Sequence, residues 1–315
     1  MKNRIVELLE KLGIDAQRLL CRTGLARVYL GRDRNRKEIV IKAAREDVPE
    51  DSKQVATALL LHEYDMSKAI GEHPNLCTDY RLHEANIEGD RCYALSMNYI
   101  PGKSLCEEIE QSPLQEHTLL DAVCDAGEGA KHVNQQGVLH GDIKPENIIV
   151  DKKGKGTLID FGASNRQHES YPGMLNSLRF ITPEYTAPEQ MIKEVRAFTE
   201  EVDAYQFGAT IIKLLTGKGP YELIGISEAD HPDYTSPDYT SPVDMKEANP
   251  RLAEYPELVK VLEESRRIIP GARPSIDNIV GIVRKHTKFL KATKRKILPD
   301  RKLKSFEPLS FLEVL

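Results

Sequence analysis

The chain has 315 residues, enough for about two domains and a large core, with 44 Lys and Arg against 49 Asp and Glu and a formal net charge of -5. That balance gives no global attraction to nucleic acid or to an anionic membrane. Cys21, Cys77, Cys92, Cys106 and Cys124 lack CxxC spacing, no apolar run could cross a bilayer and the first residues lack a signal-peptide core, so a cytosolic protein with reduced thiols is expected; delivery into another cell would leave no mark in such a sequence.

In chain order, Ile5, Leu8, Leu9 and Leu12 recur at helical spacing and predict a short amphipathic helix over about 3–12, ended by Gly13 and packed on the neighbouring lobe. LLCRTGLARVYLGRDRNRKEIVIKAA reads as two strands, a turn and a third strand that ends in Lys42, with Val40 on the same face. DSKQVATALLLHEYDMSKAIGEHPNL predicts a helix with Asp51 or Ser52 as N-cap and Gly71 at its end. TDYRLHEANI and RCYALSMNYI read as two antiparallel strands. Leu119, Leu120, Val123, Ala126 and Ala130 then form one face of a buried helix, with His117 and His132 expected as surface or packing residues.

The densest chemistry lies in VLHGDIKPENIIVDKKGKGTLIDFGA, from Val138 to Ala163. A tight loop presents Asp142, Lys144 and Asn147, and a hairpin built from IIV and TLI brings Asp160 beside them. This gives an acceptor for a hydroxyl proton, a cation for a phosphoryl group and two oxygen ligands for Mg²⁺. The passage closely resembles the catalytic loop and DFG segment of the protein-kinase family. The resemblance covers about residues 18–285 and implies an α+β, bilobal fold with a small β-rich N-lobe and a larger, mainly helical C-lobe. The expected divisions are an N-terminal extension over 1–17, the N-lobe over 18–98, the C-lobe over 99–285 and a basic and apolar tail over 286–315.

The family pattern implies roles for further residues. Val28, fourteen positions before Lys42, matches the valine after a glycine loop, which puts Cys21, Thr23 and Ala26 where the family has glycines. The loop Cys21, Arg22, Thr23, Gly24, Ala26 and Val28 is expected to cover nucleotide, though more loosely than a true glycine loop. Lys42 is expected to pair with the α- and β-phosphates of ATP and with a helix glutamate, for which Glu63 is the first choice and Asp65 the second. Met97 stands at the gatekeeper position, Ile100 at the backbone contact to adenine, and Asn98 where an acidic residue is common. Asp142 would orient and accept from the substrate hydroxyl, Lys144 would contact the γ-phosphoryl, and Asn147 and Asp160 would hold Mg²⁺, with Mn²⁺ as a substitute. His140 is read as a brace. Glu189, Arg273 and Asp203 are read as scaffold.

Gly141 replaces the arginine with which many kinases grip a phosphorylated activation loop, so phosphorylation at Ser164, Ser170, Tyr171, Ser177 or Thr182 is not expected to be required. Lys144 with the TPEYTAPE stretch favours a Ser/Thr protein substrate. The tandem PDYTS repeat lies in an expected exposed loop over about 222–250, and basic residues between Arg284 and Lys304 form an arm that could meet acidic lipid, nucleic acid or an acidic partner, or lie as a solvated helix face. The loop and the tail are the candidate partner-docking segments. The expected function is ATP-dependent serine/threonine protein phosphorylation. A pseudokinase scaffold, suggested by the lost glycines, and a small-molecule kinase, which can also carry His-Gly-Asp, are the alternatives.

Overall fold

The computed structural model describes residues 4–298 apart from 46, 112–113, 173–174, 176–181, 193–194, 196 and 226–242. Helix α1 (Arg4–Leu12) opens the chain, followed by strands β1 (Asp15–Arg22), β2 (Ala26–Arg32) and β3 (Glu38–Ala44). Helix α2 (Glu50–Ile70) and strands β4 (Arg81–Ile87) and β5 (Asp90–Asn98) complete the smaller unit. Its antiparallel sheet runs in the order β1-β2-β3-β5-β4. Ile5, Leu8 and Leu9 of α1 pack with Ile39, Ile41 and Ala94, so the amphipathic helix is consumed as part of this unit's core. The expected division after residue 17 therefore falls inside β1.

The larger unit continues as β6 (Lys103–Ser104), α3 (Leu105–Gln111), α4 (Glu116–Gln135), β7 (Val138–Leu139), β8 (Ile148–Val150), β9 (Gly156–Leu158) and β10 (Asn165–Arg166). Helices α5 (Pro188–Met191), α6 (Glu201–Thr216), α7 (Pro220–Leu223), α8 (Met245–Ala248), α9 (Pro256–Ser265) and α10 (Ile276–Thr293) complete it. This is the expected α+β arrangement, a five-stranded sheet followed by a mainly helical body. Phe207, Ile211 and Leu215 of α6 are fully buried beside Leu119 and Val123 of α4 in one apolar core. The two units are stitched at the segment after α2. Leu158 N–H donates to Asn75 O at 2.9 Å, Cys77 N–H donates to Leu158 O at 2.9 Å, and the Asn75 amide donates to Gly156 O at 3.0 Å.

Four expectations change. Helix α2 begins one residue before Asp51, after Pro49, and no side chain caps it; proline presets the entering backbone, and the acidic first turn of Glu50 and Asp51 suits the helix dipole. Residues 243–250 are not open loop: Val243 and Met245 are buried, and the Asn249 amide donates to Leu215 O and Ile297 O. The PDYTS repeat itself lies outside the described residues. The division after residue 285 falls within α10, whose Thr287 and Leu290 are buried, as are Ile297 and Leu298 beyond it. The helix ends at Thr293, where Lys294 turns left-handed at φ 54°. Much of the basic arm is also matched in charge: Lys285 meets Glu257, Arg284 meets Glu128, Lys291 meets Asp121 and Arg295 meets Glu254. These partly exposed pairs contribute little energy each, but they offset the positive field that would draw an acidic partner. The tail beyond residue 298 lies outside the described residues.

Candidate active site

Two clusters face each other. The first is set by β3, paired on both sides so that Lys42 lies opposite Val28 of β2 and Leu95 of β5. Its ammonium reaches Glu63 Oε2 at 2.8 Å and Asp160 Oδ1 at 3.0 Å. Glu63 is buried on α2, whereas Asp65 is exposed and turned away, which leaves Glu63 as the partner. Burial opposes the charge on Lys42, but Asp160 and Glu63 outweigh it and hold the ammonium protonated. Burial pushes the Glu63 carboxyl up to about 7 against the attraction of Lys42. At Asp160 the cost of partial burial is overcome by Lys42 and by the Gly162 N–H, and its pKa falls to about 2. Asp160 itself is left-handed, at φ 67°, an uncommon conformation that aspartate tolerates better than most residues.

The second cluster is the loop between β7 and β8. The Asn147 amide donates to Asp142 O at 2.8 Å and to Asp142 Oδ2 at 2.9 Å. Lys144 Nζ lies 2.7 Å from Asp142 Oδ2 and donates to Thr182 Oγ1, also at 2.7 Å. The Thr182 hydroxyl in turn donates to Asp142 Oδ1 at 3.1 Å. Lys144 is close enough to help lower the Asp160 pKa, which ties the two clusters together electrostatically.

Helix α6 shapes this loop from below. Buried Asp203 accepts from the backbone N–H groups of His140 at 2.9 Å and Gly141 at 2.8 Å, and from the Asn134 amide at 2.7 Å. Gln206 accepts from Ile143 N–H and donates to Gly141 O, both at 2.8 Å, and Thr210 donates to Ile143 O. The His140 ring braces Ile159 O at 3.1 Å and, with Tyr80, flanks buried Phe161. Sequence reading found Asp203 but missed Gln206 and Thr210. The signal was present, since Asp203, Gln206 and Thr210 fall at i, i+3 and i+7, a polar stripe on an otherwise apolar helix.

Other expected residues divide. Cys21 is close enough to Lys42 and Asp160 for both to act on its thiol, while burial pushes its pKa up. Met97 is buried on β5 opposite Val40, and Ile100 packs at the edge of the core. Arg22 and Thr23 are exposed at the hairpin tip, and no hydrogen bond or ion pair among the described residues joins them to the Lys42 cluster. Thr23 instead closes the turn, its hydroxyl accepting from Ala26 N–H at 2.9 Å, and Arg45 donates to the carbonyls of Thr23 and Gly24. Cys21, Thr23 and Ala26 all have negative φ, so the side chains that replace glycine there cause no backbone strain. Arg45 carried no sequence signal, because its role depends on where the hairpin folds.

The donor set suits a hard divalent cation. Asp160 engages Lys42 and the Gly162 N–H through Oδ1, and its side chain remains 44% exposed. Asn147 uses its amide nitrogen on Asp142, which leaves its carbonyl oxygen for another ligand. Among the described residues no group of three or more His, Cys, Asp or Glu side chains could hold a metal by itself. Two oxygen donors with room for phosphate and water fit the way such ions bind beside nucleotides. No described helix is long and apolar enough to cross a membrane.

The chain matches the protein kinase domain over residues 16–282. It is 29% identical to the serine/threonine-protein kinase PrkC of Bacillus subtilis over 201 residues, 63% of this chain and 30% of that protein. It is 25% identical to the serine/threonine-protein kinase PknB of Mycolicibacterium smegmatis over 201 residues, 63% of this chain and 31% of that one. Against the yeast serine/threonine-protein kinase YPK3 it is 31% identical over 159 residues, 48% of this chain and 29% of that protein. The chain thus spans about a third of the length of the curated relatives it matches. With the ion pair Lys42–Glu63, the Asp142 loop and Asp160 all present and the family match running across both units, the chain belongs to the protein kinase domain family.

Proposed function

We propose that the protein is an ATP-dependent serine/threonine protein kinase. The observation that carries this reading is the Thr182 hydroxyl, which donates to Asp142 and accepts from Lys144 as an incoming acceptor hydroxyl must. Asp142 then orients the attacking oxygen and accepts its proton, and Lys144 offsets charge that develops on the transferred phosphoryl. Lys42, held by Glu63, positions the α- and β-phosphates, and the hairpin from Cys21 to Val28, with Gly24 at its tip, closes over the nucleotide. Met97 and Ile100 border the adenine. Mg²⁺ would be held by Asn147 and Asp160, where it would supply neutralisation of phosphate charge. The relatives named above are serine/threonine kinases, which supports the same acceptor class here.

Phosphorylation of the segment after Asp160 is not needed in this reading. Gly141 sits at φ +78°, and a Cβ there would run into the Ala163 carbonyl oxygen, so no arginine can stand at this position to receive a phosphate. A pseudokinase remains the second reading, favoured by Cys21, Thr23 and Ala26 in the nucleotide hairpin. Incubation with labelled ATP, Mg²⁺ and a generic protein substrate separates the two. Transfer by the phosphatase-treated chain, abolished in Lys42→Ala and Asp160→Ala, supports the kinase; equal background in all three supports the scaffold.

A further inference from the structure

The segment after Phe161 is fastened to helix α2 and to the catalytic loop by bonds between neutral groups. His62, the residue before Glu63, is buried with its Nε2 2.7 Å from Ser164 O. A carbonyl only accepts, so Nε2 carries the proton, and burial pushes the imidazole pKa down, which keeps the ring neutral. The Ser164 hydroxyl, fully buried, donates to His140 O at 3.1 Å. Tyr171 folds back on the same strap: its hydroxyl donates to Ala163 O at 2.5 Å and its ring centroid lies 5.7 Å from that of His62. Ala163 O is the same atom that excludes a side chain at Gly141. Three elements thus meet at one backbone step, Ala163–Ser164, only a few residues from Asp160.

We propose that His62 and Tyr171 are positioning residues that lock Ala163–Ser164 onto helix α2, so that Glu63 and Asp160 are presented to Lys42 as one body without a phosphate on the segment. The geometry explains why the glycine at 141 and the neutral pair occur together. Where a charged arginine would need a phosphate to order this strap, a tyrosine hydroxyl fills the space and supplies the bond itself. Because His62 and Glu63 are adjacent on α2, loss of the His62 bond loosens the helical turn that carries the ion-pair carboxylate. Tyr171 acts one step further out, by fixing the carbonyl next to the one that His62 holds.

This inference rests on the kinase reading, and its test is built so that the two can fail separately. His62→Leu, His62→Gln and Tyr171→Phe forms of the 315-residue chain are compared with wild type, all phosphatase-treated, by amide hydrogen exchange over residues 164–168 and by kcat and KM for ATP. His62→Leu and Tyr171→Phe are each expected to raise exchange about tenfold, the effect of one lost buried hydrogen bond, and to lower kcat comparably. His62→Gln, whose side-chain amide can still donate to Ser164 O, is expected to recover most of both. The proposal is overturned if His62→Leu equals His62→Gln, which would mean packing alone, or if Tyr171→Phe exchanges like wild type. Should His62→Leu fail to fold, Tyr171→Phe, which deletes a single oxygen, decides the matter. Should wild type transfer no phosphoryl group, the kinase reading fails while exchange still reports on the lock.

Discussion

Asp203 offers the most direct test of how the loop from His140 to Asn147 is held. It is fully buried and accepts three hydrogen bonds, from His140 N–H, Gly141 N–H and the Asn134 amide. Bonds to a charged acceptor contribute roughly 1.5–3 kcal/mol each, so three amount to about 5–9 kcal/mol. Against this stands the cost of burying the carboxylate, the same burial that pushes its pKa up, which is several kcal/mol in real proteins. The net expectation for Asp203→Ala is a loss of about 3–5 kcal/mol, because three donors are stranded in the core. Asp203→Asn keeps an oxygen for His140 and Asn134 but turns an N–H₂ towards Gly141 N–H. It should therefore lose roughly 1.5–3 kcal/mol, the value of one such bond. Urea titration gives the two stabilities, and labelled-phosphate transfer shows whether Asp142 has moved. Equal losses for Asn and Ala, or losses under about 0.5 kcal/mol in both, would refute the reasoning.

Three further outcomes are expected from the same geometry. Arg273 has a fully buried side chain and holds Glu189 through two bonds of 2.6 and 2.8 Å, so Arg273→Ala should cost about 3–5 kcal/mol in a denaturant titration by leaving the carboxylate uncompensated. Thr23→Gly removes the hydroxyl that closes the hairpin from Cys21 to Val28 and restores backbone freedom at the tip; KM for ATP should change several-fold with kcat nearly constant, and an unchanged KM would show that the tip does not touch nucleotide. The pKa of Asp160 lies below its unfolded value, so its contribution to stability is present above about pH 4 and is lost as pH falls through about 2. Asp160→Asn should therefore flatten the stability-versus-pH slope across that window, by an amount reduced by the partial exposure of the side chain.

Much of this architecture was legible in linear patterns because local physics fixes it. The 3.6-residue apolar spacing of α1 and α4 and the two-residue alternation around Lys42 survive into the fold unchanged. Boundaries were less legible. The helix starting at Glu50 and the helix ending at Thr293 are set by Pro49 and by a left-handed Lys294, whereas the capping residues at Asp51 and Ser52 pointed to a later start. The basic run after Arg284 left a docking arm and a solvated helix face both open, because its acidic partners Glu128, Asp121 and Glu257 are distant in sequence.

By itself the sequence determined the chemical groups and their order: Lys42 on a strand, Asp142, Lys144 and Asn147 on a loop, and Asp160 after a hairpin. It could do so because those groups sit within short segments whose local conformation is encoded by neighbours. Only the tertiary structure decided between Glu63 and Asp65, a choice that turns on which face of α2 points inward. It also decided what surrounds Gly141, since the Ala163 carbonyl and the Tyr171 hydroxyl arrive there from a segment more than twenty residues away. Contacts of that range are fixed by packing of whole elements, and a linear pattern carries no record of them.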